Sequence, residues 1–109
     1  MYNPEQGDIV YINFDPSIGH EIKKRRPGLV VSKTIFNKLT GFCLICPITS
    51  TQRSFGTYVT IEQPARVNGE VVTHQLRSMD FEKRKLEFVE QCDPVTWANV
   101  ISTIDQFIE

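Results

Sequence analysis

Arg25 and Arg26 stand directly before Pro27 and the apolar run Gly28-Leu29-Val30-Val31-Ser32. Proline fixes its own φ and pushes the preceding residue toward extended geometry. Arg26 is therefore expected at a strand entrance, where loop meets sheet. A guanidinium held there can grip two phosphate oxygens together, because its planar fork stays charged and donates in parallel. Phosphate is the chemistry this run invites. A hydroxyl-rich loop with one cation, Thr49-Ser50-Thr51-Gln52-Arg53-Ser54, is a second polar set. His20 and His74 add the residue type that most readily moves protons near neutral pH.

Cys43-x-x-Cys46 has the spacing of a zinc or redox pair, and Cys92 makes three cysteines. An odd count argues against a disulfide framework. Residues 41–48 read as a strand, and positions three apart on a strand face opposite sides. The two thiols then point apart, and no second ligand pair follows at zinc spacing. No metal site is expected, and the thiols are expected to be buried and apolar in character.

The 109 residues fit one domain, 1–109, with 40% hydrophobic residues to build its core. No apolar stretch approaches the roughly 20 residues of a membrane span. The start, Met-Tyr-Asn-Pro-Glu-Gln-Gly-Asp, lacks the basic and apolar regions of a secretory signal. A cytoplasmic location is expected. The net charge is −1, yet all twelve Lys and Arg fall within residues 23–85. A positive middle flanked by acidic ends can attract a polyanion.

The elements that must position these residues are mostly short strands. Residues 8–14 read as the first, rich in β-branched and aromatic residues. Turn residues 15–19 end it, and a basic loop leads through Arg26. Further strands are expected at 28–32, 42–48, 57–61, 70–72, 74–80 and 86–91. Thr34–Thr40 reads as a turn or one helical turn closed by Gly41. Asn68-Gly69 is a hairpin signal. Asp93 as cap and Pro94 at the first helical position begin a helix. Its apolar positions are Trp97, Val100, Ile101, Ile104 and Phe107/Ile108. Short strands with a terminal helix predict a small antiparallel barrel.

Five strings, in order, carry a family resemblance. They are Gly7-Asp8-Ile9-Val10; Asp15-Pro16-Ser17-x-Gly19-His20-Glu21; Arg26-Pro27-x-Leu29-Val30-Val31; Pro47-x-Thr49-Ser50; and Gln75-x-Arg77-Ser78-x-Asp80. Together they resemble the MazF/PemK family of toxin endoribonucleases. The resemblance implies a mainly β chain with a C-terminal helix, an SH3-like antiparallel β-barrel of the CcdB/PemK type. It implies a homodimer that cleaves single-stranded RNA, mRNA in particular, without metal or other cofactor. Attack by the 2′-OH leaves a 2′,3′-cyclic phosphate and a 5′-OH. A cognate antitoxin that blocks the RNA groove is the implied protein partner, and no membrane is involved.

The resemblance also assigns roles. Arg26 matches the catalytic arginine, which stabilises charge on the phosphate. Thr49 matches the threonine that donates to the scissile phosphate. Glu21 matches a glutamate implicated as a base in some members, and His20 a histidine found in the branch of the family that includes the Kid toxin. Both lie in loop 15–26, expected to be a mobile lid over RNA. The chain departs from the Kid pattern where an arginine and an aspartate precede Gln-x-Arg. Here these are Val72 and His74. Val72 cannot serve as an acid or phosphate ligand, whereas His74 can transfer protons. Expected RNA contacts are Phe14, Ser17, Lys23, Lys24, Ser50, Arg53, Gln75 and Arg77. Phe55 and Tyr58 offer further stacking surfaces, and Lys83-Arg84-Lys85 a possible extension of the track. Arg77 could equally pair with Asp80. Two other readings share the barrel: a CcdB-like gyrase poison, and a degenerate member that only binds RNA or antitoxin.

Overall fold

The computed structural model describes residues 2–53 and 55–108; Ser54 of the hydroxyl-rich loop lies outside them. Seven strands form one sheet. They are β1 (Asp8–Asn13), β2 (Arg25–Val30), β3 (Phe42–Thr49), β4 (Tyr58–Thr60), β5 (Glu70–Val72), β6 (Arg77–Asp80) and β7 (Glu87–Gln91). Helix α1 (Thr34–Thr40) joins β2 to β3, and α2 (Pro94–Ile108) follows β7. The order is β4-β5-β3-β2-β1-β7, with β6 also on β3 and every pair antiparallel. The architecture is mainly β with a C-terminal helix, as expected. Among the described residues no ladder joins β4 to β7, so the barrel-like sheet is open along one seam.

The central strands are apolar on both faces, which is why their sequences read as nearly continuous hydrophobic runs. Ile9, Leu29, Val31, Cys46 and Ile48 pack in one cluster with Val100 of α2. Val10, Ile12, Phe14, Val30, Cys43 and Ile45 pack in a second with Met79 and Phe81. Cys43 and Cys46 thus lie in different clusters, as strand alternation requires. Burial pushes both thiols up to about 12. Buried Asp8, from the first matched string, ties the sheet to the N-terminal segment. Its carboxylate accepts hydrogen bonds from the Tyr2 hydroxyl, the Gln91 amide and the Glu5 backbone.

Three expectations need correction. β2 starts at Arg25 rather than Gly28, because Arg25 and Arg26 pair with Asn13 and Ile12. Arg26 lies within the strand, not before it. The strand expected at 74–80 begins only at Arg77, and Thr73–Gln75 is a 3-10 turn. The registers give the reason. Paired residue numbers add to 119 between β3 and β5 but to 122 between β3 and β6. The partner of β3 therefore carries three extra residues, and Thr73-His74-Gln75 leave the ladder to absorb them. Asn68-Gly69 is not a two-residue hairpin: β4 and β5 pair from Thr60↔Glu70, and residues 61–69 connect them.

Both helices end or begin on the signals read from sequence. Gly41, at φ 75°, stops α1 in the left-handed conformation that glycine adopts without penalty. Asp93 caps α2 by accepting the Thr96 N–H at 3.0 Å. Trp97, Val100 and Ile104 of α2 reach the first cluster, but Ile101, Phe107 and Ile108 are exposed. A 15-residue helix runs about 22 Å. It outruns the three-residue β4 and the 3-10 turn on which it packs.

Candidate active site

The site is built where β2 opens from loop 14–24 and the 3-10 turn lies against that loop through Gln75. The β2–β3 ladder pairs Gly28 with Pro47, Leu29 with Cys46 and Val30 with Ile45. The ladder stops at Gly28 and Pro47, and Arg26 and Thr49 lie two residues beyond it at the same end of the two antiparallel strands. A strand-borne guanidinium and a strand-end hydroxyl thus share one end of the β2–β3 pair, although 23 positions separate them in sequence. Arg26 Nε donates to the Lys23 carbonyl at 2.9 Å, which anchors the stem of the fork; among the described residues its two outer nitrogens make no hydrogen bond. Thr49 Oγ1 accepts the Thr51 N–H at 3.2 Å and keeps its own hydrogen to donate. Arg25 is turned elsewhere. It donates to the Lys85 carbonyl and pairs with Glu87 at 3.0 Å, setting part of the positive middle against the acidic C-terminal segment.

His20, Glu21, His74 and Gln75 line one open concavity. Glu21, His74 and Gln75 also border a second with Leu76 and Arg77. The register insertion explains how His74 gets there, since the three extra residues lift it off the ladder into an exposed position. Thr57 Oγ1 shares a 2.8 Å hydrogen bond with His74 Nδ1. The Tyr58 ring stands at 64° to the imidazole, with centroids 5.6 Å apart. Phe55 in turn meets Tyr58 edge-on at 6.4 Å. The structure thus brings His20 and Glu21 together with His74 and Gln75 at one concavity, and sets Arg26 and Thr49 at one end of the β2–β3 pair.

Several residues expected to touch RNA hold the loop instead. Phe14 is wholly buried in the second cluster, because it continues the inward alternation of Val10 and Ile12. Gln75 accepts the Ile22 N–H at 2.7 Å and donates to the His20 carbonyl, so both ends of its amide are engaged. Arg77 donates to the Phe14 carbonyl at 2.8 Å and reaches Ser17 Oγ at 3.4 Å, and does not pair with Asp80. The Ser17 hydroxyl spans the Phe14 and Ile22 carbonyls at 2.9 and 2.8 Å. Arg84 donates to the Asn13 and Asp15 carbonyls, so it too is a brace. Glu21 Oε1 accepts the Ile18 N–H at 2.8 Å, and its side chain lines the concavity. The loop expected to be a mobile lid is fastened from both sides. Lys23, Lys24, Ser50 and Arg53 remain exposed, as RNA contacts need to be.

Sequence reading missed two residues. Glu70 is buried, accepting the Arg53 N–H at 2.7 Å and the Thr60 hydroxyl at 3.3 Å. It pairs with Thr49 across β3–β5 and pins the hydroxyl-rich loop. Thr57, the partner of His74, gave no signal at all, since a threonine before a strand is an ordinary strand former.

Residues 5–108 match the family described as PemK-like, MazF-like toxin of type II toxin-antitoxin system. The endoribonuclease toxin MazF of Escherichia coli (strain K12) is 31% identical over 83 residues, which cover 76% of this chain and 74% of that protein. The endoribonuclease toxin ChpB of the same strain is 41% identical over 86 residues, covering 73% of this chain and 72% of that protein. Among solved structures, MazF from Deinococcus radiodurans aligns with a TM-score of 0.94 at 32% identity, over 99% of this chain and 98% of that one. A chain of the MazE-MazF complex from the same organism aligns with a TM-score of 0.87, also at 32% identity, over 99% and 97%. With the match running over nearly the whole chain and the relatives sharing its strands and terminal helix, this chain belongs to the PemK-like, MazF-like toxins of type II toxin-antitoxin systems.

Proposed function

We propose that residues 1–109 form one toxin domain that cleaves single-stranded RNA without a metal ion. The observation that supports this reading is the concavity lined by His20, Glu21 and His74, with Arg26 and Thr49 at a shared end of the neighbouring strands β2 and β3. RNA brings its own nucleophile. When the 2′-oxygen bonds to phosphorus, the P–O5′ bond breaks. A base takes the 2′-OH proton and an acid supplies one to the 5′-oxygen. Arg26 opposes the charge gathering on the phosphate oxygens, and Thr49 donates a hydrogen bond to one of them. His74 is the group that takes the proton, with Glu21 and His20 beside it. Lys23, Lys24, Ser50 and Arg53 hold the RNA backbone, and Phe55 and Tyr58 offer ring faces to unpaired bases.

Solved MazE-MazF complexes among the relatives support an antitoxin as protein partner. The chain acts as a homodimer in this reading. Ile35, Phe36, Leu39 and Phe42 of α1 and β3, and Phe107 and Ile108 of α2, are exposed apolar side chains that a monomer leaves in water.

Incubation with a long unstructured RNA in excess EDTA tests the reading. Products with 2′,3′-cyclic phosphate and 5′-OH ends are expected. Intact RNA, a requirement for added metal, or 5′-phosphate ends would refute it. Light scattering at micromolar concentration reads the dimer, and a mass of only 12.5 kDa would contradict it.

A further inference from the structure

We infer that Thr57 is a positioning residue, which sets the orientation of the His74 imidazole so that Nε2 faces the RNA. This rests on the reading of His74 as the proton-transfer group. The geometry is specific. The Thr57 backbone carbonyl accepts two hydrogen bonds from Thr73, the N–H at 3.0 Å and the hydroxyl at 2.6 Å. Thr73 is wholly buried and immediately precedes His74. The residue before β4 is thereby locked to the turn that carries the imidazole. That lock sets the 2.8 Å distance between Thr57 Oγ1 and His74 Nδ1. Tyr58 flanks the ring edge-on and restricts its tilt.

The partner of Nδ1 decides which nitrogen is left to react. The Thr57 hydroxyl can accept from Nδ1–H or donate to Nδ1; in the inferred arrangement it accepts, which leaves the lone pair on Nε2 to take the 2′-OH proton. The imidazolium that results keeps the same Nδ1–H bond, so nothing need turn during the transfer. A hydroxyl is suited to this task, because it can accept from Nδ1–H without placing a fixed negative charge beside the ring. In an exposed histidine without such a partner, rotation about χ2 would put a ring carbon where each nitrogen stood and turn Nε2 away.

Thr57→Val removes the hydroxyl while keeping the shape and the backbone carbonyl that Thr73 uses. It should lower kcat about tenfold, the size of one hydrogen bond, with KM unchanged. Thr57→Ser should restore most of the rate. Nitrogen-15 NMR of the imidazole should report one dominant neutral tautomer in the wild type, and a mixture in Thr57→Val. A Thr57→Val protein with wild-type kcat, or with an unchanged tautomer signature, overturns the inference. So does a rate loss that Thr57→Ser fails to restore. His74→Gln separates the two layers. Full activity there refutes the reading of His74 and the role of Thr57 with it. Loss there, with none in Thr57→Val, refutes Thr57 alone.

Discussion

Gly69→Ala perturbs the candidate site from beneath. Gly69 has φ 132° and lies against the backbone of Thr49. An added Cβ would stand 2.1 Å from the Thr49 carbonyl oxygen, 3.0 Å from its carbonyl carbon and 3.3 Å from Ser50 Cα. A comfortable carbon–oxygen contact needs about 3.3 Å, so the Thr49 backbone has to retreat by about 1 Å. The obstacle is backbone on both sides, and no flexible side-chain end can swing away. Two costs add. A left-handed φ in a residue with Cβ costs about 1–3 kcal/mol, and forcing an extra carbon into a packed site costs about 1–3 kcal/mol more. The midpoint, roughly 4 kcal/mol, is below the stability of an ordinary domain, so the variant should still fold in buffer. Its catalysis should suffer more. If Thr49 holds the phosphate as proposed, displacing its hydroxyl by about 1 Å is worth on the order of a hundredfold in rate. Urea denaturation gives the first number, and single-turnover RNA cleavage well below the urea midpoint gives the second. Gly56→Ala is the control, since nothing lies within 4 Å of its added Cβ; it should match the wild type in both assays. A Gly69→Ala protein less than about 1 kcal/mol below wild type would refute the packing argument. A clear loss of stability with normal cleavage would remove Thr49 from the reacting centre.

Three further outcomes follow from other parts of the molecule. Arg26→Ala should reduce cleavage at least a hundredfold without unfolding the protein. Arg25→Ala should do far less, because Arg25 binds Lys85 and Glu87; equal losses in the two variants would dissolve the distinction. Burial raises the Asp93 carboxyl, but hydrogen bonds from the Thr96 backbone and hydroxyl outweigh it, and the net direction is below the ordinary value. A depressed folded-state value means the cap stabilises above the ordinary carboxylate range and is lost as pH falls through the folded value. Asp93→Asn should therefore narrow its stability gap to wild type on acidification, and a gap that widens in acid would contradict this. Cys43, Cys46 and Cys92 are all raised to about 12 by burial, with Asp93 and Glu90 adding to the effect at Cys92. At pH 8 only about one thiol in ten thousand is then ionised, and a disulfide reagent should titrate the native protein slowly and the urea-unfolded protein quickly. Rapid labelling of the native protein would reject that assignment.

Much of the architecture was legible in the chain because it rests on local chemistry. The β-branched runs at 8–14 and 42–48 became β1 and β3, and Asp93-Pro94 opened α2 at the position that capping requires. Cys43 and Cys46 separate onto two faces because alternation is a property of any strand. The five ordered strings were enough to place the chain in its family. Gln75, Arg77, Ser17 and Phe14 show what was not legible. Their types suit RNA contact, yet their partners are carbonyls, amides and a core up to 63 positions away. A side chain's role depends on which acceptor lies within about 3 Å, and only the packed chain settles that. The same holds for His74, whose exposure follows from a three-residue mismatch between the two ladders on β3. No local pattern records such a mismatch, because register is fixed by pairing with a distant strand. Residue types and order determined the fold and family, whereas tertiary pairing decided which of the candidate residues stay exposed at the concavity and which hold the loop in place.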